Sequence, residues 1–272
     1  MTQHLEIAEG IRLLDAFTAI ASRAAAAILA VPDLNRRDKA DRSPVTAADE
    51  AAEAVVLEGL ARVLPGVPVV SEEAAGKSPP GILGNRFVLV DPLDGTRELL
   101  AGESEYTVNI ALVVGGVPVI GVIGAPAFGQ IWRGMAGHGA ERLRLPAGAE
   151  PDDASERVAI RTRARPSDGV VAVVSRFHRD AGTDAYLDRI PNVQRMTCGS
   201  SIKFCRLAEG TADLYVRLTS ISEWDVAAGH ALVTAAGGTM TTLDGGPVPY
   251  GRPGFRVPGF VVRGDRSATH AG

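Results

Sequence analysis

Val90-Asp91-Pro92-Leu93-Asp94-Gly95-Thr96 follows an uninterrupted apolar run, Phe87-Val88-Leu89-Val90. Such a run is expected to form a buried strand that delivers Asp91 at its end. Two carboxylates about 4 Å apart repel by roughly 4 kcal/mol at an effective dielectric of about 20, so both ionise only beside something positive. Arg97 is near in sequence, but a hard divalent cation suits carboxylate oxygens better. Pro92 fixes φ and shapes the turn. Gly95 carries no side chain, so its N–H can approach a phosphate closely. Thr96 adds a hydroxyl and a second N–H, and a helix starting here would favour an anion at its N-terminus. The same residues also make an ordinary turn. Taken alone, the stretch leaves both readings open.

Three further acids bear on that choice. Glu72 follows the short apolar run Val67–Val70. Asp225 follows Trp224 at the start of a small-residue helix. Asp49 lies in Pro44-Val45-Thr46-Ala47-Ala48-Asp49, a helix-start pattern. Each has a bland counterpart: a solvated loop for Glu72, a helix cap for Asp225, and a first-turn acid favoured by the helix dipole for Asp49.

The elements that would position these acids alternate between helix and strand. Leu5 to Ala30 reads as an amphipathic helix and Asn35 to Ser43 as a loop. A second helix runs from Thr46 to the break at Pro65-Gly66. Gly76 to Gly84 is expected as a loop. Tyr106–Val114 and Val117–Ile123 form strands joined at Gly115-Gly116, a hairpin signal. Another strand starts at Ile131. Val170–Val174, Asp213–Arg217 and Phe260–Val262 read as strands. Helices are expected over Ala181–Ile190, over Ile202–Glu209 after a Gly199-Ser200-Ser201 cap, and from Trp224 to Gly237. This alternation predicts layered α/β packing. Gly148–Glu156 is the best boundary between an N-terminal part, 1–150, and a C-terminal part, 151–272.

At 272 residues the chain has 46% hydrophobic and 22% charged residues, which provides a sizeable core and argues against wholesale disorder. The formal net charge of -4 and the lack of a basic stripe give no reason to expect nucleic acid as a partner. Cys198 and Cys205 lie in a stretch that reads as helical, without a metal-ligand spacing, and are expected as inert buried thiols in a reducing compartment. No apolar run reaches some 18 residues. The Ala-rich stretch after the acidic N-terminus does not read as a signal peptide. The expected location is the cytoplasm, and the amphipathic first helix leaves peripheral membrane attachment open.

Ser71-Glu72-Glu73, Asp91-Pro92-Leu93-Asp94-Gly95-Thr96 and Trp224-Asp225-Val226-Ala227-Ala228-Gly229 together resemble the inositol-monophosphatase-like family of metal-dependent phosphatases. The match runs from Pro44 to Gly238. Gly199-Ser200-Ser201-Ile202-Lys203-Phe204-Cys205, Asp213-Leu214-Tyr215 and Val174-Ser175-Arg176-Phe177-His178 are most similar to the bacterial 3'(2'),5'-bisphosphate nucleotidase branch. Arg97 and Leu99 depart from its usual Lys and Phe. The resemblance implies an αβαβα sandwich of the inositol monophosphatase and fructose-1,6-bisphosphatase type. It also implies two or three Mg²⁺ ions held by Glu72, Asp91, the Leu93 carbonyl, Asp94 and Asp225. Thr96 would orient the attacking water and Asp49 would accept the Thr96 proton, with Glu72 also contacting that water. Lithium sensitivity follows from the same resemblance.

The implied substrate is 3'-phosphoadenosine 5'-phosphate, giving AMP and phosphate, with its 5'-phosphosulfate relative as a candidate further substrate. Glu72, Leu93, Asp94, Gly95, Thr96 and Asp225 would face its scissile phosphate, and Gly199, Ser200 and Lys203 the nucleoside, where Gly199-Ser200-Ser201 at a helix start could bind a second phosphate or ribose oxygens. Lys203 either pairs with a 5'-phosphate or is a solvated helix residue. His178 and His230 are expected to be structural or substrate-adjacent. Inositol-1-phosphate or another sugar phosphate is the alternative substrate, because the metal residues are shared. A metal-binding module without turnover is disfavoured, since all the carboxylates and Thr96 are present. The expected partner is a small phosphorylated molecule, and a homodimer is compatible with the sequence.

Overall fold

A computed structural model describes residues 5–39, 43–75 and 83–265. The apolar runs become the inner strands of two sheets. In the seven-stranded sheet, Arg86–Asp94 lies between Val69–Ser71, parallel to it, and Thr107–Val114, antiparallel to it. At the Gly115-Gly116 turn both glycines have positive φ, as a two-residue hairpin of this hand requires. The sheet continues through Val117–Ala125, Gln130–Met135, Gly139–Arg144 and Glu156–Ile160. The five-stranded sheet has the order Gln194–Cys198, Val171–Ser175, Leu214–Arg217, Phe260–Arg263, Thr239–Thr242. Its first three strands are parallel, so their carboxyl ends share one edge.

The helices are α1 (Ile7–Leu29), α2 (Ala47–Val63), α3 (Glu72–Ala75), α4 (Thr96–Leu100), α5 (Ala181–Asp188), α6 (Ile202–Ala208) and α7 (Glu223–Ala235). In α1, Leu13, Phe17, Ile20, Ala24 and Ile28 recur at helical spacing and are all buried. A reciprocal Thr46–Asp49 capping box starts α2. Among the described residues no helix is long and apolar enough to cross a membrane.

Strand alternation sorts the layers. Val88 and Val90 pack with α1 and α2, whereas Phe87 and Leu89 pack with α6 and α7. In the second sheet Val173 joins the α6–α7 core, and Ala172 and Val174 pack on Leu187 of α5. Sheets covered on both faces explain why their inner strands read as continuous apolar runs. The order is helices, sheet, helices, sheet, helix, which is the expected five-layer sandwich. The middle layer is tight. A Cβ on Gly121 would meet the Ala228 carbonyl of α7, and one on Gly229 would run into the Phe204 ring of α6.

Several boundaries differ from the sequence expectation. The Glu156–Ile160 strand pairs with Gly139–Arg144, so the first sheet extends beyond residue 150. Cys198 ends a strand and only Cys205 is helical, although both are buried and unbridged. The polar stretch after Asn35 forms a short ladder, Arg37–Asp38 against Pro44–Val45. Most of the loop expected over Gly76–Gly84 lies outside the described residues. Overpacking a filled core costs about 1–3 kcal/mol. Gly229→Ala should therefore lower unfolding free energy by about that amount in urea denaturation, and an unchanged midpoint would contradict the packing described between α6 and α7.

Candidate active site

Parallel pairing places Ser71 opposite Val90. The next residues, Glu72 and Asp91, therefore lie side by side just past the end of Val69–Ser71. The register of Arg86–Asp94 against Thr107–Val114 shifts between Asp91 and Asp94, where Pro92 has no N–H to give the ladder. That irregularity turns the chain so that Asp91, Leu93 and Asp94 all line one cleft. The third acid comes from α7, where Asp225 Oδ2 accepts the Ser222 N–H at 3.2 Å in a capping box. One oxygen each from Glu72, Asp91 and Asp225 lies within 4.8 Å of the others.

Burial first, then mutual repulsion, pushes the Asp91 carboxyl well above its ordinary range, with Glu72, Asp94 and Asp225 as the repelling neighbours. Burial followed by Glu72 and Asp94 raises Asp225 in the same way. Glu72 is also raised by burial, although Lys39 opposes that shift. The Lys39 ammonium donates to Glu72 Oε1 at 2.7 Å and to Glu73 Oε1 at 2.5 Å. These attractions outweigh its own burial and hold its pKa above the usual value. Asp91 is fully buried and accepts the Leu93 N–H at 3.1 Å, a contact that cannot balance the clustered charge. An all-oxygen donor set of this kind fits a hard divalent cation such as Mg²⁺.

Beside the cluster, Gly95 takes φ +98° and begins α4. A Cβ there would press on Glu105 O, Ser200 Cβ and Tyr106 Cα, each at 3.2 Å, so glycine is required for both reasons. The Thr96 hydroxyl donates to Asp49 Oδ1 at 2.9 Å. Asp49 Oδ2 accepts the Thr46 N–H at 2.8 Å and the Thr46 hydroxyl at 2.6 Å. Burial raises the Asp49 pKa against these hydrogen bonds. Asp94 lies in the same cleft, and its Oδ2 accepts the Ser201 hydroxyl at 2.7 Å. The cleft has a volume of about 300 Å³. It is also lined by His178, Lys203, Arg217 and Arg256.

A profile of the Inositol monophosphatase family matches residues 7–269. The chain belongs to the inositol monophosphatase family. It is 40% identical over 260 residues to the 3'(2'),5'-bisphosphate nucleotidase CysQ of Escherichia coli K12, covering 92% of this chain and 99% of that protein. It is 33% identical over 232 residues to a histidinol-phosphatase of Mycobacterium tuberculosis, covering 84% of this chain and 85% of that protein. The crystal structure of CysQ from Bacteroides thetaiotaomicron superposes with a TM-score of 0.78 at 33% identity, covering 94% of this chain and 98% of that one.

For this inositol monophosphatase family member, the expected site residues line one cleft except Asp49, which reaches it through Thr96, and Gly199. Gly199 does not line the cleft. Its N–H donates to Glu105 Oε2 at 2.7 Å and is not free for a phosphate. Ser200 does line the cleft, with φ +39°, and Lys203 is buried rather than solvated. The Lys203 ammonium donates to Ser200 O at 2.5 Å and lies 5.7 Å from the Tyr215 ring centroid. Ser201 holds the N-cap position of α6, but its hydroxyl serves Asp94 instead of capping the helix. Burial, then Arg97 and Arg217, lower the His178 pKa, so it is neutral near pH 7. His230 lies outside the cleft against Tyr250 Oη, and burial lowers its pKa to about 4. Sequence reasoning missed Lys39, Arg217 and Arg256. Lys39 had one signal, as one of three lysines in the chain.

Removing Lys39 leaves Glu72 and Glu73 without their cation. Lys39→Met should lower the metal-free melting temperature and enlarge the rise produced by Mg²⁺. Thermal melts with EDTA and with Mg²⁺ check this, and equal shifts for both proteins would contradict it. A second outcome concerns pH. Asp91 and Asp225 have raised folded pKa values, so the folded metal-free chain holds protons that the unfolded chain releases. Its stability should fall as pH rises from about 4, the ordinary carboxylate range, through the raised values. Mg²⁺ competes with those protons and should bind more tightly across the same window. Urea denaturation over pH should show the decline, flattened in Asp225→Asn. A pH-independent difference between the two proteins would overturn the assignment.

Proposed function

We propose that the chain is a Mg²⁺-dependent 3'(2'),5'-bisphosphate nucleotidase that converts 3'-phosphoadenosine 5'-phosphate to AMP and phosphate. The observation that carries this reading is a cleft lined by charge of both signs. The clustered carboxylates share it with Lys203, Arg217 and Arg256. Arg217 Nε is buried without a partner, and such an orphan donor suits an anion from a ligand. A cation on the carboxylates suffices for one phosphate. A second phosphate gives the basic side chains their use. The name of the E. coli relative agrees with this substrate class.

A divalent cation held by Glu72, Asp91, the Leu93 carbonyl, Asp94 and Asp225 would add positive charge at the phosphoryl oxygens and make water more acidic. The remaining chemistry falls to the chain. The Thr96 hydroxyl points its proton at Asp49, so its oxygen is free to accept a hydrogen bond from the attacking water. As the water oxygen bonds to phosphorus and the bond to the ribose oxygen breaks, Thr96 takes the water proton and passes its own to Asp49 Oδ1, while the departing ribose oxygen takes a proton from solvent water to leave as the 3'-hydroxyl. Burial makes Asp49 a better proton acceptor than an exposed carboxylate. The Thr46 bonds to Oδ2 keep Oδ1 turned towards Thr96. The Gly95 turn brings backbone donors close to the transferred phosphoryl group, where charge develops.

Two measurements test this reading. In side-by-side steady-state assays with Mg²⁺, kcat/KM should be higher for 3'-phosphoadenosine 5'-phosphate than for inositol-1-phosphate. A charge-assisted contact contributes about 1.5–3 kcal/mol, so Lys203→Ala should narrow that preference by about ten- to hundredfold. Higher kcat/KM for inositol-1-phosphate would sink the substrate assignment. Thr96→Ala and Asp49→Asn should each slow hydrolysis, and the double variant should be little worse than either, because groups acting as one unit are non-additive. Multiplying losses would show that they do not share a proton path.

A further inference from the structure

The segment between α4 and the Thr107–Val114 strand takes no part in the chemistry above, yet it touches both turns that shape the cleft. Glu105 Oε2 accepts two hydrogen bonds, from Arg176 Nη2 and from the Gly199 N–H, each at 2.7 Å. The pair is well shielded, with side-chain exposures of 31% for Arg176 and 16% for Glu105. The Glu105 backbone is equally close. Its carbonyl would lie 3.2 Å from a Cβ on Gly95 and 2.7 Å from one on Gly199. Glu105 is therefore wedged between the turn that carries Thr96 and the turn that leads to Lys203.

Arg176 and Gly199 directly follow adjacent parallel strands. Ser175 pairs with Cys198 at their carboxyl ends, and the Arg176 N–H donates to Cys198 O at 3.2 Å. Such ends are where open α/β sheets place ligands. The residue after Gly199 is Ser200, held at φ +39°. A non-glycine residue there persists only when its surroundings over-determine it. Its carbonyl receives the Lys203 ammonium, and its hydroxyl accepts from Thr107 Oγ1 at 3.3 Å. Glu105 supplies the upstream anchor of this turn, and Lys203 the downstream one.

We propose that Glu105 is a positioning residue that, through Arg176 and the Gly199 N–H, fixes the Ser200–Lys203 turn at the distance from Gly95 and Thr96 that a substrate with two phosphates requires. This rests on the bisphosphate reading of the cleft. It assigns Arg176 a role as the partner that turns the Glu105 carboxylate, not as a ligand for substrate.

The test has a kinetic arm and a structural arm. Glu105→Ala should raise KM for 3'-phosphoadenosine 5'-phosphate at least tenfold, with kcat within about twofold and inositol-1-phosphate kinetics unchanged. Arg176→Ala should behave alike, and the double variant should be no worse than either, as expected for one unit. Glu105→Gln keeps an acceptor for Gly199 and should give an intermediate KM. It also serves as the test variant should Glu105→Ala not fold. Hydrogen exchange read by mass spectrometry should be at least tenfold faster over residues 199–203 in Glu105→Ala than in the native chain. Unchanged exchange, an equal KM rise for both substrates, or a fall in kcat alone would each overturn the proposal. A native chain without preference for the bisphosphate would instead overturn the substrate reading. The exchange measurement would then still decide whether Glu105 holds the turn.

Discussion

Negative charge crowded into a place with little water is the constraint on which the rest of the structure depends. Glu72, Asp91 and Asp225 bring oxygens within 4.8 Å of one another, and Asp94 faces the same cleft. No isolated strand or helix would hold such a set, because ionised carboxylates repel and their burial is unfavourable. Three separate backbone devices impose it: parallel pairing of Ser71 with Val90, the irregularity between Asp91 and Asp94, and the capping box of α7. The protein answers the strain with raised carboxyl pKa values and with Lys39 on Glu72. A divalent cation relieves it more completely. The cluster therefore trades stability of the metal-free chain for affinity towards a cation, the direction of exchange expected where function opposes folding.

The five-layer sandwich makes that arrangement rigid. Asp225 is carried by α7, whose backbone approaches the first sheet at Gly121 and meets α6 through Gly229 and Phe204. Across the cleft, Asn109 of the first sheet donates to the Ser201 hydroxyl at 2.8 Å, which in turn donates to Asp94. The metal-side carboxylate is thus tied to the start of α6, two residues before Lys203. The acidic cluster and Lys203 sit on different layers but share hydrogen-bonded residues.

How much of this was legible depended on local pattern. Phe87–Val90 is apolar at every position because both faces of the strand are covered, so strand and cluster could be read together. Thr46 and Asp49 gave α2 its start through ordinary capping chemistry, and the same Asp49 reaches Thr96 through its second oxygen. Features made by tertiary contact stayed hidden. Lys39 sits in a polar stretch that looks like solvated loop until it meets Glu72. The Gln194–Cys198 strand lies at a sheet edge with exposed polar residues, so it lacks the apolar run that marks inner strands. Gly199 seemed suited to bind phosphate, but Glu105, distant in sequence, takes its N–H. The serines before α6 looked like caps, while Ser201 spends its hydroxyl on Asp94.

Direct location of the cation tests the central claim. A crystal of the full chain soaked in Mn²⁺, with anomalous diffraction recorded near the manganese edge, would show where a hard divalent ion settles. The cluster predicts anomalous peaks among the carboxylates of Glu72, Asp91 and Asp225, with the Lys39 ammonium displaced from Glu72. Peaks only elsewhere on the protein, or an undisturbed Lys39–Glu72 pair at saturating Mn²⁺, would contradict it.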